Sequence, residues 1–208
     1  MTKSIGLLGG TFDPIHQGHL AIAEDAYQQL NLKAVIFVPA GQPYFKALSD
    51  ITTAEHRVTM LKLAIADKPY FKISLMEIER PGPSYTIDTI FRIKNGMRSD
   101  EEIYFIMGWD SLLTLHLWQE PERLISLCRL AVAPRPDYPN PDIKLIEKKL
   151  PGISQRTVIL NNPLIDISST EIRQRVCEGL PTEDMVPASI AQYIRENGLY
   201  QKQKNRMD

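Results

Sequence analysis

Ile5-Gly6-Leu7-Leu8-Gly9-Gly10-Thr11-Phe12-Asp13-Pro14-Ile15-His16-Gln17-Gly18-His19 joins a short apolar run to a glycine pair and then to two histidines three residues apart. The run Ile5 to Leu8 is brief and bounded by glycines, which suits a strand buried on both faces. From Leu20 the apolar residues fall at Leu20, Ala23, Tyr27 and Leu30, the three-then-four spacing of an amphipathic helix, and Ala34 to Val38 follows as a second strand. Strand, helix, strand is the parallel crossover unit. Between its first two parts, Gly9 and Gly10 remove side chains where backbone N–H groups must approach an anion, and the helix start adds the positive end of a dipole. His16 and His19, with Gly18 between them, are spaced to lean toward one spot at that helix start.

The same alternation continues outward. A helix over Ala54 to Ala66 with Thr53 as its cap is expected to bury Val58, Leu61 and Ile65, and Phe71 to Leu75 reads as a strand. Past the break at Pro81, Gly82 and Pro83, Ser84 can cap a helix with Ile87, Ile90 and Phe91 inward, and Ile103 to Met107 is a strong strand. Arg129 to Ala133 and Val158 to Leu160 are two more, separated by the Pro-rich stretch Pro134 to Pro141 and a Lys/Glu helix through Leu150. Helices from Ser169 and over Pro187 to Asn197, stopped by Gly198, close the chain. The pattern predicts an α/β fold: a mostly parallel sheet with helices on both faces and ligands at the carboxyl ends of its strands. The loops after Leu8, Val38, Met107 and Leu160 should then converge on one rim.

Bulk properties narrow the ligand. The chain has 208 residues, 24 basic against 25 acidic side chains and a formal net charge of -1, so no global field recruits nucleic acid or an anionic membrane. Length and a hydrophobic share of 43% suit one domain over 1–208. Cys128 and Cys177 read as reduced structural thiols, and the short apolar N-terminus is no signal or spanning segment, so a cytoplasmic protein is expected. No His/Cys cluster has zinc-ligand spacing.

A second anion cradle lies late in the chain. Ile167-Ser168-Ser169-Thr170-Glu171-Ile172-Arg173 places hydroxyls at a helix start, where Ser168 or Ser169 serves as N-cap, and an arginine one turn in. The His16-Gln17-Gly18-His19 stretch resembles the His-x-Gly-His signature of the nucleotidyltransferase superfamily, in its bacterial nicotinate-nucleotide adenylyltransferase version. The later stretch is similar to that superfamily's Ser-Ser-Thr-x-x-Arg motif. The resemblance covers essentially the whole chain, including Ala54-Glu55-His56-Arg57, where His56 reads as structural. It implies a Rossmann-like doubly wound sheet, with a small C-terminal helical part at about 168–200 within one nucleotidyltransferase domain, and an adenylyl transfer from ATP to nicotinate mononucleotide in NAD biosynthesis. It further implies His16, His19 and Arg173 as catalytic groups. For ATP it implies Gly9, Gly10, Thr11, Phe12, Gly18, Gly108, Asp110, Ile167, Ser169 and Thr170 besides these three. For the mononucleotide it implies Lys46, Tyr85, Thr86, Asp110, Trp118 and Arg135, with Asp110 on the ribose and Trp118 stacking on the pyridine ring.

Some of these residues carry a physical reason of their own. Asp110 follows a strand, where a carboxylate accepts from ribose hydroxyls, although a helix N-cap Asp would look the same. Tyr85 and Thr86 stand at a helix start, which suits a carboxylate better than a carboxamide. Mg2+ is expected to arrive with ATP, and the partners are ATP and nicotinate mononucleotide, in a monomer or small homo-oligomer. Two departures from the family pattern, Pro43-Tyr44-Phe45-Lys46 in place of Pro-His-Lys and Trp109 in place of Ala, bear on the mononucleotide pocket. The alternatives are a related enzyme acting on nicotinamide mononucleotide or phosphopantetheine, and a nucleotide-sensing module with a dead site. A dehydrogenase is disfavoured because Gly-x-Gly-x-x-Gly is missing.

Overall fold

In the computed structural model, which describes residues 4–42, 51–134, 142–161 and 166–201, β1 (Ile5–Gly10) lies at the middle of a six-stranded sheet. To one side run β2 (Ala34–Pro39) and β3 (Phe71–Ile73); to the other β4 (Ile103–Gly108), β5 (Arg129–Ala133) and β6 (Thr157–Ile159). Every pairing is parallel, and the order β3-β2-β1-β4-β5-β6 reverses direction between β1 and β4. At such a switch point neighbouring loops diverge and leave a crevice at the strands' carboxyl ends.

The strands sort their side chains to two cores by simple alternation. On β1, Leu7 joins one buried cluster and Leu8 the other; on β5, Leu130 and Val132 face one side while Ala131 and Ala133 face the opposite side. The helices cover both faces. α1 (Gln17–Gln29), α2 (Ala54–Ala64), α8 (Ser169–Glu178) and α9 (Ala188–Glu196) pack on the Leu8 side through Leu20, Met60, Ile172 and Ile190. α3 (Thr86–Asn95), α4 (Trp109–Thr114), α5 (Pro121–Leu127), α6 (Ile143–Lys149) and α7 (Ile153–Arg156) pack on the Leu7 side through Ile90, Leu112, Leu124, Ile146 and Ile153. The doubly wound α/β fold expected from the pattern is the fold observed.

Several boundaries differ from expectation. β1 does not stop at Leu8: Gly9 and Gly10 stay in register with Val38 and Pro39, because an extended glycine still offers its backbone to the ladder. α1 begins at Gln17, so the two histidines do stand at the helix entry, His16 as its N-cap residue and His19 within its first turn. α2 buries Arg57, Met60, Leu61 and Ala64, so its inner face is turned from the one read through Val58, and it ends at Ala64. β3 ends at Ile73, and β6 spans Thr157–Ile159. Ser84 does not cap α3; Tyr85 holds that position, and the Ser84 hydroxyl accepts from the Gly41 N–H at 3.1 Å. Phe91 points outward, 39% exposed, under the Arg123 guanidinium 4.7 Å from its ring centroid. No helix among the described residues is long and apolar enough to cross a membrane.

Candidate active site

The crevice beside β1 holds two adjoining cavities, of about 480 and 260 Å³, that share Gly9, Phe105 and Trp118 in their walls. The larger is built first from the loop after β1. Phe12 takes a left-handed turn, with φ 52°, and its fully buried ring packs 5.0 Å from the His19 ring and 5.8 Å from Phe37. That anchor fixes where α1 starts. His16, extended at φ -145°, and His19 then bring their rings to 3.7 Å between centroids and 31° between planes, and both line the cavity with Gly18. No side chain caps α1 or α4, whose first turns line this cavity; at the start of α1 the Gln17 N–H donates to the Met185 carbonyl at 2.9 Å and the His19 N–H to the His16 carbonyl at 3.0 Å.

The opposite wall comes from Ile167 to Thr170 at the start of α8. Ser168 is the cap, its hydroxyl accepting from the Glu171 N–H at 3.1 Å. Ser169 donates its hydroxyl to the Pro14 carbonyl at 2.9 Å, and Arg173 donates through Nη1 to the Asp13 carbonyl at 2.8 Å and through Nη2 to Thr170 Oγ1 at 3.3 Å. The two motifs are therefore stitched together directly, across 155 to 160 residues of chain. Ile167, Ser169 and Thr170 line the cavity, and the Arg173 guanidinium is held on the Asp13 carbonyl.

Asp110 does not cap its helix. Gly108 holds the N-cap position, and Asp110 sits in the first turn of α4, exposed and lining the larger cavity. A Cβ on Gly108 would come within 2.6 Å of Asp110 Oδ1, so only glycine lets that carboxylate lie back over the strand end. Trp109 points the other way, 3% exposed in the Leu7-side core, because successive first-turn positions diverge by about 100°. It lines neither cavity, so its size does not bear on the pocket in the way expected from the sequence.

The smaller cavity is walled by Gly10, Thr11, Val38, Tyr85, Thr86 and Trp118, among others. Tyr85 is the N-cap residue of α3 and Thr86 its first residue, and no side chain caps this start either. Trp118 stands edge-on to Phe105, with 6.1 Å between centroids and 76° between planes. Lys46, Arg135 and the Tyr44-Phe45 departure lie outside the described residues. The loops after β1, β2 and β4 and the stretch before α8 thus meet on one rim, as the alternation predicts.

Two features escape a reading of motifs. The first is Glu77, 8% exposed in the wall of the smaller cavity, whose Oε1 accepts from the Thr89 hydroxyl at 2.5 Å. Burial pushes its carboxyl above the usual range, against the opposing pull of bonds from Thr89 and Ser84. The second is a brace beneath the first loop. Asp13, 2% exposed, accepts from the Tyr200 hydroxyl at 2.7 Å and the Thr52 N–H at 3.2 Å. Arg57 donates to the Thr52 carbonyl at 3.0 Å and the Thr11 carbonyl at 2.8 Å. Burial raises the Tyr200 phenol well above its usual range, with Asp13 adding to the effect, and lowers Arg57. Arg57 could have been singled out, since it falls on the same helical stripe as Met60, Leu61 and Ala64. His56 binds the Tyr193 hydroxyl at 2.9 Å and ties α2 to α9, away from both cavities.

Comparison with known proteins agrees with this geometry. A family profile described as cytidylyltransferase-like matches residues 7–175. A protein of Dehalococcoides mccartyi named probable nicotinate-nucleotide adenylyltransferase is 48% identical over 94% of this chain and 96% of its own. One of the same name from Roseiflexus is 42% identical over 94% and 97%. Among solved structures, the nicotinic acid mononucleotide adenylyltransferase of Plasmodium falciparum complexed with NaAD superposes with a TM-score of 0.78 at 23% identity, covering 95% of this chain and 97% of that one, a likeness of fold. The chain belongs to the nicotinate-nucleotide adenylyltransferase family of cytidylyltransferase-like nucleotidyltransferases.

Proposed function

We propose that this chain transfers the adenylyl group of ATP to nicotinate mononucleotide, with ATP in the larger cavity and the mononucleotide's pyridine ring in the smaller one. The observation that carries the reading is that helix starts from opposite ends of the chain wall one cavity, and that Trp118 joins it to a second. The mononucleotide's 5′-phosphate oxygen attacks the α-phosphorus in line; one P–O bond forms, the bond to pyrophosphate breaks, and no protein nucleophile takes part. A phosphate nucleophile needs no general base, so His16 and His19 serve as hydrogen-bond donors to charge growing on phosphate oxygens, at the positive end of the α1 dipole. Ser169 and Thr170 face the polyphosphate from the other wall. Arg173 works both as a phosphate donor and as the clasp on Asp13 that keeps the walls at their separation.

Thr86 and its neighbours at the start of α3 receive the nicotinate carboxylate, Trp118 stacks on the ring, and Asp110 accepts from ribose. Lys46 and Arg135 are assigned to the mononucleotide phosphate from the motif alone. Among the described residues no cluster of three His, Cys, Asp or Glu could cage a metal, and Asp110 is the one carboxylate in the larger cavity's described wall. Mg2+ would come carried on the polyphosphate, where it would neutralise charge. We read residues 1–208 as one domain and the cytoplasm as its place of work, in keeping with the free thiols; burial pushes Cys128 up to about 12, which leaves it inert.

A second substrate, the amide mononucleotide, is favoured by Glu77: as a carboxylate it would accept from a carboxamide and repel an acid. The deciding assay offers ATP and Mg2+ with nicotinate mononucleotide, nicotinamide mononucleotide or phosphopantetheine and follows pyrophosphate. Release with the acid substrate at a kcat/KM well above the other two is expected. ATP binding without pyrophosphate from any of them would overturn the transferase reading.

A further inference from the structure

The smaller cavity presents a contradiction to an acidic guest. Its wall offers the start of α3, which attracts a carboxylate, and also Glu77, which repels one if ionised. The carboxyl has no retreat, because its surroundings are built around it. Thr89 on α3 donates to Oε1, Ser84 donates from the preceding loop, and Gly41 after β2 packs so tightly on the Glu77 backbone that a Cβ there would meet its carbonyl oxygen at 2.1 Å. Ser84 and Gly41 are themselves bonded, and the Ser84 N–H donates to the Gln42 carbonyl at 3.0 Å. The charged groups facing Glu77 offer no net relief: Arg80 and Asp88 pull in opposite senses and are paired with each other at 3.2 Å. In about 260 Å³, two carboxylates cannot be kept apart by bulk water.

We infer that Glu77 is the proton-linked selector of this pocket: the acid mononucleotide binds with Glu77 neutral, so wherever Glu77 is ionised in the free protein binding draws a proton from solvent onto its carboxyl, while the amide mononucleotide binds without one. The inference rests on the pyridine ring occupying the smaller cavity. The proton goes to a carboxylate oxygen, and no other bond changes. Burial already favours the neutral form before substrate enters, so the guest's charge completes a shift that the fold has begun. Glu77 touches the reaction only by admitting one ring substituent and holding Ser84 and Thr89; it is a specificity residue.

The test is calorimetric titration of the full chain with nicotinate mononucleotide in two buffers of different ionisation enthalpy, at pH values from about 6 to 8. Proton uptake approaching about one per ligand is expected toward the alkaline end, and Kd should rise toward tenfold per pH unit there. In E77Q the uptake and that slope should fall away. Nicotinamide mononucleotide should show the same uptake with wild type and E77Q, which cancels the contribution of the ligand phosphate and needs no comparison of stability. Equal uptake of the acid ligand by wild type and E77Q overturns the inference, as does equal uptake of acid and amide by wild type. W118A separates the two readings: if it leaves acid-mononucleotide affinity intact, the ring is not in this cavity; if it weakens binding while uptake is independent of Glu77, only the proton linkage fails.

Discussion

The two cavities are made in opposite ways. The wall of the larger one that carries the histidines is a single contiguous segment, Gly9 to His19, whose every step serves the backbone path from strand to helix. The wall around Glu77 in the smaller one is drawn from separate places: Glu77 in the loop after β3 and Ser84 with Thr89 at the start of α3, backed by Gly41 after β2. A contiguous wall tolerates chemistry that faces a ligand, since the local turn holds it. A dispersed wall must spend its hydrogen bonds on holding itself together, and what it presents to a ligand is what remains.

The contrast makes graded predictions. The largest effect belongs to the contiguous wall: His19→Ala or His16→Ala should lower kcat by roughly 100-fold or more with an unchanged circular dichroism spectrum. Wild-type turnover in either variant removes that residue from the mechanism and erases the distinction. In the dispersed wall the damage should appear as stability. Gly41→Ala, driven into the Glu77 carbonyl, should cost about 1–3 kcal/mol in urea unfolding, and a neutral outcome would mean that the wall yields easily. Ser168→Ala, which removes the hydroxyl cap of α8 without touching the stitches from Ser169 and Arg173, should cost about 1 kcal/mol and spare most activity.

The smallest and most specific effect is a drift with pH. Glu77 has a folded-state value raised above 4.5 by burial, so the folded form binds the proton more tightly than the unfolded one. Its contribution is complete below 4.5 and is lost as pH climbs through the raised value. The Tm of E77Q relative to wild type should therefore improve as pH rises from 4.5 through the raised value and then level off. A parallel pair of Tm curves would show Glu77 ionised in the folded protein at no cost.

What could be read in advance follows the same division. Strands announced themselves as apolar runs because a sheet covered on both faces needs apolar residues throughout, and both phosphate-suited loops were legible because their glycines, imidazoles and hydroxyls are neighbours in sequence. Glu77 was not legible: nothing in Met76-Glu77-Ile78-Glu79 says which carboxyl is buried, and only the packing of Gly41 and Thr89 decides it. Trp109, read as a bulky departure bearing on the mononucleotide pocket, is sent into the core by the helical turn of α4, whereas Trp118 lines both cavities. Helix α5, Pro121–Leu127, went unread. Asp13 sits inside a recognisable motif, yet its brace needs Tyr200, 187 residues on.

That long reach has an outcome for biosynthesis. The ribosome emits Asp13 well ahead of Arg173 and Tyr200, which grip it from two sides and are translated 160 and 187 residues later. Until then the nascent polypeptide carries its first glycine- and histidine-bearing loop without these two fastenings, which close only once α8 and Tyr200 have emerged.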